Sequence, residues 1–304
     1  MIDLTTRTAF TAQTAAALAA AGLEPHRVAK VISDTLDEDL SWGPDVTTES
    51  TIAADAVATA DVVARAEGTL AGVLVAVAVL ETLAAERGRS VQIEVHAHDG
   101  DRVRAGDLVL TVTGTARVLL TAERTMLNLL CQLSGVATQT ARWVDEVTGT
   151  RAKIRDTRKT VPGLRVLQKY AVRCGGGVNH RMGLGDAALI KDNHVAAAGS
   201  VRAAYLAVKR TAPDIVVEVE CDSLDQVREA IEAGADLILL DNMSAETMHA
   251  AVQIASPYAV RLEASGGLTL DRAADVAATG VDYISVGALT HSAPVLDLAL
   301  DLRS

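Results

Sequence analysis

The spacing of apolar residues changes along the chain and predicts different elements in its first half. Residues 25–40 carry apolar side chains at helical intervals, whereas residues 57–65 and 91–97 alternate as half-buried strands do. Residues 71–87 predict an apolar helix, and residues 108–112 predict a further strand. Together these elements predict a mixed α/β sandwich of about 110 residues.

Beyond residue 150, short apolar segments alternate with helical patterns. Six of these segments predict strands: Lys153–Asp156, Ala187–Lys191, Val216–Glu220, Leu237–Leu240, Val260–Glu263 and Tyr283–Val286. The last four recur every 20 to 25 residues, which is the length of a β-α unit. The repetition predicts a parallel α/β barrel or a doubly wound sheet. No Gly-x-Gly-x-x-Gly motif follows the first strand, which disfavours a dinucleotide-binding fold.

Two further elements depend on weaker patterns. A long helix is predicted to begin at Thr121, with this residue as its N-cap. Residues 1–24 are rich in Ala and Thr and show little periodicity, so they predict either an extension or an additional helix.

Composition excludes several classes of protein. The 304 residues include 49% hydrophobic but only 2% aromatic residues, so the core must consist of small aliphatic side chains. A net charge of -11 argues against nucleic acid or an anionic membrane surface as a partner. The longest apolar stretch, residues 70–80, is shorter than the roughly 20 residues of a membrane-spanning helix. Three widely spaced cysteines predict reduced thiols. We therefore expect a cytoplasmic protein.

Charged side chains follow the predicted parallel strands where each strand ends. The clearest examples are Arg158, Lys159, Lys191, Glu220 and Asp241. The carboxyl ends of parallel barrel strands open onto one face, so we expect these groups to gather there. The alternative is that strand ends are simply exposed and polar.

The distribution of charge indicates the kind of ligand. Residues 124–191 contain twelve Lys or Arg and four Asp or Glu, whereas the rest of the chain is acidic. This contrast predicts a small polyanionic ligand. Nucleic acid is a weaker interpretation, since only Trp143 and Tyr170 could stack on bases there. Glu220 and Asp241 suit Mg²⁺ carried by substrate phosphates, or ribose hydroxyls, with internal salt bridges as the alternative.

Glycines mark two further candidate anion sites. Gly266 and Gly267 follow Ser265 and, with Gly287, lie on late strands, where barrel loops often hold a phosphate. A run of three glycines, residues 175–177, precedes His180 and Arg181. The neighbouring arginine favours anion recognition over a buried structural histidine.

Ten blocks of the sequence resemble the quinolinate phosphoribosyltransferase family. They include Asn179-His180-Arg181 and Lys191-Asp192-Asn193-His194. The full set is residues 36–39, 43–48, 121–128, 153–160, 176–181, 190–194, 218–220, 240–242, 262–267 and 286–292. The resemblance extends from about residue 25 to the end of the chain, and no candidate catalytic position departs from it.

The resemblance implies a fold and an assembly. It implies an N-terminal open-faced α/β sandwich over residues 25–130, to which residues 290–304 return. An incomplete, seven-stranded parallel α/β barrel would occupy residues 131–289, and residues 1–24 would be an N-terminal extension. The protein would form a head-to-tail homodimer in which Arg124 reaches the partner's site.

The resemblance also implies a reaction and its site. The enzyme would transfer the phosphoribosyl group of phosphoribosyl pyrophosphate (PRPP) to quinolinate with Mg²⁺, giving nicotinate mononucleotide, pyrophosphate and CO₂ in NAD biosynthesis. The quinolinate ligands would be Arg124, Arg158, Lys159, His180, Arg181 and Lys191. The PRPP ligands would be Thr157, Lys159, Lys191, Glu220, Asp241, Ser265, Gly266, Gly267, Val286, Gly287 and Ala288. Lys159, Glu220 and Asp241 would be catalytic, and Glu220 and Asp241 would hold Mg²⁺ through the substrate.

Three alternatives remain open on the sequence. A related phosphoribosyltransferase would act on another acidic heteroaromatic ring. Residues 100–110 resemble the hammerhead turn of a biotinyl or lipoyl carrier, but no lysine lies between Lys30 and Lys153 to be modified. A barrel that senses a small anion without reacting is the third alternative, against which the carboxylates Glu220 and Asp241 argue.

Overall fold

The computed structural model describes residues 10–303, which fall into two compact units. The first unit runs to Gln139 and also contains Val161–Gly175 and the C-terminal segment from Ser292. The second contains Thr140–Thr160 and Gly176–His291. The domain bounds expected from the sequence stay a prediction.

Helices and strands alternate along most of the described chain. The strands are β1 (Val57–Ala64), β2 (Gly68–Thr69), β3 (Gln92–Val95), β4 (Arg102–Val103), β5 (Leu108–Thr115), β6 (Lys153–Arg155), β7 (Ala188–Ile190), β8 (Val217–Cys221), β9 (Leu237–Asp241), β10 (Arg261–Ser265), β11 (Tyr283–Ser285) and β12 (Leu298–Leu302). The α-helices are α1 (Ala12–Ala20), α2 (Pro25–Leu40), α3 (Val46–Thr51), α4 (Val73–Glu86), α5 (Ala116–Glu146), α6 (Arg165–Cys174), α7 (Asp192–Ala198), α8 (Val201–Thr211), α9 (Leu224–Ala233), α10 (Ala245–Ala255), α11 (Ala273–Ala278) and α12 (Ala288–His291). None of the helices within residues 10–303 combines the length and apolarity that a bilayer crossing requires.

The first unit contains an antiparallel sheet in the order β12-β1-β5-β3, with β2 and β4 paired separately. Strand β1 buries Ala60, Val62 and Ala64 and leaves the residues between them partly accessible. This alternation is the pattern from which the strand was predicted, because successive side chains point to opposite faces of a sheet.

Helices α2 and α4 agree with the sequence prediction. Helix α2 buries Val28, Ile32 and Leu36 along one face. Helix α4 is buried on most sides, and its first turn is held by Asp99, whose Oδ1 accepts a hydrogen bond from the Val73 N–H at 2.8 Å. A carboxylate at this position stabilises a helix start, where backbone N–H groups lack partners.

Two expectations for helices have different outcomes. The prediction that Thr121 caps α5 is wrong. Strand β5 leads directly into the helix at Ala116, and the Thr121 hydroxyl instead donates to Asp45 Oδ2 at 3.1 Å. Helix α1 shows that residues 12–20 form the additional helix, whereas residues 1–9 lie outside the described residues.

The second unit contains a parallel sheet of six strands in the order β6-β11-β10-β9-β8-β7. All six strands correspond to segments predicted from the sequence. An isolated parallel bridge between Arg155 and Val178 extends the sheet beyond β6. The predicted fold class, a parallel α/β barrel with an N-terminal α/β unit, is confirmed. The described residues form six parallel strands rather than the seven that the resemblance implied, and only the single bridge at Val178 stands at the seventh position.

Candidate active site

A cavity of about 490 Å³ lies where the parallel strands of the second unit end. Its lining comes from that unit: Thr157, Arg158, Lys159, His180, Arg181, Leu189, Lys191, Glu220, Leu239, Asp241, Asn242, Glu263, Ser265, Gly266, Gly267 and Ser285. A cavity of this size suits a small-molecule substrate. Every parallel strand contributes to it, directly or through the loop that follows.

Cationic side chains converge on one part of the lining. The Arg181 guanidinium donates through Nη1 to the Ala187 carbonyl at 3.0 Å. Burial and the nearby Arg158 guanidinium lower the pKa of Arg181. Two guanidinium groups that disfavour each other's charge are stabilised by an anion between them.

The loop that carries Lys159 is fixed by its neighbours. Thr290 Oγ1 donates to the Lys159 carbonyl at 2.7 Å, and the Lys159 N–H donates to Thr157 Oγ1 at 3.0 Å. A Cβ on Gly287 would lie only 2.9 Å from the Lys159 stem. Glycine at that position therefore lets the lysine side chain pass close to the backbone.

Two carboxylates face this cationic lining. Glu220, at the end of β8, forms an ion pair with Lys191. Asp241, at the end of β9, accepts a hydrogen bond from Asn242 Nδ2 at 2.7 Å. Carboxylate oxygens on the wall of a cavity fit the ligand preference of Mg²⁺, which binds through one or two carboxylates plus substrate phosphates.

The loop after β10 has a backbone that only glycine adopts easily. Gly266 and Gly267 have φ angles of 95° and 60°. A Cβ on Gly266 would lie 2.3 Å from Asn242 Oδ1, and the Asn242 N–H donates to the Ser265 carbonyl at 2.9 Å. Glycines in this conformation let a phosphate approach the main chain closely.

A buried cluster of charged groups contributes to the floor of the cavity. Arg155 Nη1 lies 2.5 Å from Glu263 Oε2 and 3.7 Å from Glu218 Oε1. His180 Nε2 lies 2.9 Å from Glu218 Oε2 and 3.6 Å from Glu263 Oε1. Burial raises the pKa of Glu218 and raises that of Glu263 to about 7. The guanidinium offsets part of the cost of burying two carboxylates.

A third buried carboxylate, Asp156, holds the backbone beside this cluster. Asp156 accepts hydrogen bonds from Asn179 Nδ2 at 2.6 Å and from the His180 N–H at 2.8 Å. These contacts fix the segment that carries His180 and Arg181 against the end of β6.

Most of the residues predicted for the site lie together in the cavity. They are Thr157, Arg158, Lys159, His180, Arg181, Lys191, Glu220, Asp241, Ser265, Gly266 and Gly267. Arg124 is not among the lining residues: it lies on α5 in the first unit, exposed, with Nη2 4.0 Å from Glu123 Oε1. Val286, Gly287 and Ala288 are adjacent in sequence to Ser285 but do not line the cavity, and the Val286 N–H already donates to the Arg155 carbonyl at 2.9 Å.

Sequence reasoning missed five lining residues: Leu189, Leu239, Asn242, Glu263 and Ser285. It also missed Arg155 and Glu218 beneath them. The signal for the acidic pair was present, because Glu218 and Glu263 lie within predicted strands, between apolar neighbours, and a buried carboxylate is rare.

Two family descriptions match the chain. "Quinolinate phosphoribosyl transferase, N-terminal domain" matches residues 45–134, and the C-terminal domain of the same family matches residues 136–301.

Similar proteins carry names of the same kind. The nicotinate-nucleotide pyrophosphorylase [carboxylating] of Mycobacterium leprae is 56% identical over 274 residues, which are 89% of this chain and 95% of that protein. A probable enzyme of the same name from Bacillus subtilis is 42% identical over 274 residues, 90% of this chain and 92% of that protein. The solved structure of the nicotinate-nucleotide pyrophosphorylase from Francisella tularensis superposes with a TM-score of 0.85 at 40% identity, covering 91% of this chain and 96% of that one. With both family descriptions and these relatives in agreement, the chain belongs to the quinolinate phosphoribosyltransferase family.

Proposed function

We propose that this protein transfers the phosphoribosyl group of PRPP to quinolinate and releases nicotinate mononucleotide, pyrophosphate and CO₂, a reaction of NAD biosynthesis. The observation that carries the proposal is the convergence of Arg158, Lys159, Arg181 and Lys191 in one cavity with Glu220. A dianionic acceptor and a polyphosphate donor both require such a concentration of cations.

Quinolinate would bind on the cationic lining. Arg158 and Arg181 can each present two parallel N–H groups to a carboxylate, while Lys191 acts as a point charge. The family resemblance adds His180 and Lys159 to this set. Two carboxylates on adjacent ring carbons would satisfy the neighbouring guanidinium groups, which supports a dicarboxylate over a monocarboxylate.

The PRPP ligands would occupy the other side of the cavity. Ser265, Gly266 and Gly267 would hold the 5′-phosphate with backbone N–H groups, with Gly287 and Ala288 next to them. Thr157 and Lys159 would contact the pyrophosphate. Val286 would contribute by position, since its N–H is already bonded to Arg155.

Displacement at the anomeric carbon builds positive charge on the ribose. Glu220 and Asp241 face that region and would stabilise the charge and hold the ribose hydroxyls. Mg²⁺, when it arrives with PRPP, would neutralise charge on the leaving pyrophosphate, with these two carboxylates as its protein ligands. Once the nucleotide forms, the 2-carboxylate would depart as CO₂, and the electron pair left on that ring carbon, stabilised by the adjacent positively charged nitrogen, would take up a proton from solvent.

The homodimer is part of the same proposal. Arg124 projects from α5 with 64% of its side chain exposed and would complete the quinolinate site of a partner subunit. A symmetric dimer would place the arginine of each subunit at the site of the other. A cytoplasmic location stays a prediction of the sequence.

Product formation tests the proposal. Purified protein would be incubated with quinolinate and PRPP, with Mg²⁺ or with a chelator, while nicotinate mononucleotide and CO₂ are measured. We expect equal amounts of both products and loss of both on chelation. A folded protein that makes neither product under these conditions would refute the proposal.

A further inference from the structure

Both ring nitrogens of His180 lie within hydrogen-bonding distance of a neighbouring group. The Arg181 N–H donates to Nδ1 at 2.8 Å, and Nε2 lies 2.9 Å from Glu218 Oε2. A nitrogen that accepts a hydrogen bond from a backbone N–H cannot carry a proton of its own. The single ring proton therefore belongs on Nε2, where it is donated to Glu218.

We propose that Glu218 is a positioning residue that holds His180 as a neutral ring protonated on Nε2 and, through it, the backbone of Arg181 in the quinolinate site. This inference rests on the proposed function. It differs from the expectation, implied by the family resemblance, that a ring nitrogen of His180 binds quinolinate directly.

The placement of Glu218 excludes direct contact with a substrate. Its side chain is 2% exposed and does not line the cavity, whereas the His180 ring that it contacts does. Glu218 precedes Glu220 by two residues on β8, so the two side chains lie on the same side of the strand. One glutamate reaches the cavity and the other acts beneath it.

The contacts form a continuous path from the buried cluster to the substrate site. Glu218 fixes Nε2, Nδ1 fixes the Arg181 N–H, and the Arg181 guanidinium lines the cavity. Asp156 holds the His180 N–H from the other side. If the His180 ring rotated, its hydrogen bond with the Arg181 N–H would be lost, and the Arg181 guanidinium would shift with its backbone.

Arg155 explains why the cluster does not require a charged histidine. Its guanidinium contacts both Glu263 and Glu218, so it supplies the positive charge that the two buried carboxylates require. With His180 neutral, the positive charge facing a substrate comes from Arg158, Arg181, Lys159 and Lys191.

Nitrogen NMR of protein labelled with ¹⁵N-histidine, in the absence of substrates, tests the ring state directly. The His180 signals are assigned by their loss in His180→Asn. At pH 7 we expect one unprotonated nitrogen, Nδ1, and one protonated nitrogen, Nε2. A doubly protonated ring, or a proton on Nδ1, would overturn the inference.

Two substitutions at the same position separate positioning from packing. Glu218→Gln keeps an acceptor oxygen for Nε2–H, so we expect the wild-type tautomer and a KM for quinolinate close to that of the wild type. Glu218→Leu removes the acceptor, so we expect mixed tautomers and about a tenfold higher KM for quinolinate, because small displacements of a binding group cost this much. The KM for PRPP should change less than the KM for quinolinate.

Glu263→Gln is the matched control, because it removes a charge from the same cluster but leaves the acceptor of Nε2–H in place. We expect the tautomer of the wild type. If Glu218→Leu does not fold, the wild-type and Glu218→Gln spectra still decide the question. Loss of the Nε2–H tautomer in Glu218→Gln would contradict the inference. If the spectrum is as expected but the protein forms no product, the proposed function is refuted and the inference about His180 is not.

Discussion

The two units treat charge on their sheets in opposite ways. In the first unit, Arg303 binds Asp61 with two hydrogen bonds of 2.8 Å, and Arg65 binds Asp301. The pairs join β1, or Arg65 directly after it, to the C-terminal segment, and their arginines are about half exposed. In the second unit, Arg155 binds Glu263 where both side chains are largely buried.

The difference in burial separates ion pairs that add little to stability from buried charges that support a substrate site. An exposed ion pair gains little, because water solvates both partners when it breaks. A buried pair carries a desolvation cost that apolar residues would avoid. The second unit carries that cost at the floor of the cavity, which indicates that the buried charges are there for the site above them.

The largest expected effect is on turnover. Lys159→Ala should lower kcat by roughly two to four orders of magnitude, since it removes a preorganised charge from the reacting region. Lys30→Ala is the first-unit control, because Lys30 pairs with Asp34 on the exposed side of α2 and, within residues 10–303, with no other acidic group. Steady-state kinetics would compare the two variants. Near-normal turnover in a folded Lys159→Ala protein would remove Lys159 from the mechanism.

The next effect is on stability. Arg155→Met would leave Glu263 and Glu218 buried without their cation and should lower the free energy of unfolding by about 3–5 kcal/mol. Arg303→Ala should leave unfolding almost unchanged. Urea unfolding followed by circular dichroism measures both. Equal losses in the two variants would break the contrast between the units.

Arg124 is an exposed charge of the first unit that we nevertheless expect to serve a substrate site. If Arg124 serves a partner's site, Arg124→Ala and Lys159→Ala should each be nearly inactive alone. After subunit exchange, the mixture should recover about a quarter of wild-type activity, because half of the dimers are mixed and each has one intact site. Mixed dimers confirmed by mass spectrometry but lacking activity would count against a shared site.

The smallest expected effect is on the dependence of stability on pH, and it has opposite sign in the two clusters. Burial raises the pKa of Glu263 to about 7, so the folded protein keeps a proton that the unfolded chain releases above pH 4.5. Stability should therefore fall as pH rises from about 4.5 to 7. The hydrogen bond from Arg303 lowers the pKa of Asp61, so its contribution is present above pH 4 and is lost as pH falls through the lowered value.

Melting temperatures between pH 3 and pH 8 check both signs. Relative to the wild type, Glu263→Gln should flatten the fall above pH 5, and Asp61→Asn should flatten the loss at low pH. If both substitutions changed the pH dependence of the melting temperature in the same direction, Glu263 and Asp61 would not titrate as described.

The sequence predicted the elements whose signal is local. Helix α2 was recoverable because Val28, Ile32 and Leu36 repeat at helical spacing. Strands such as β7 and β9 were recoverable because each is a short apolar run followed by polar residues. The start of α5 was not recoverable from Thr121, because the helix boundary depends on where β5 leaves the sheet.

Only part of the cavity lining was predicted from the sequence. Residues at the ends of strands, such as Lys159 and Glu220, were found because the rule that places them is topological. The cluster of Arg155, Glu218 and Glu263 was missed because it depends on the register of strands far apart in sequence. The hydrogen bond from the Val286 N–H to the Arg155 carbonyl was also not predicted, because sequence spacing does not show which strands are paired.

The most direct test of the account compares quinolinate with nicotinate as the acceptor in the same assay with PRPP and Mg²⁺. Nicotinate lacks the 2-carboxylate, so it would offer only one carboxylate to the cationic lining around Arg158 and Arg181. We expect a kcat/KM for nicotinate that is lower by about two orders of magnitude or more, because a site built to bind a charged group rejects a ligand that lacks it. Equal values for the two acids would contradict the claim that this cavity recognises a dicarboxylate.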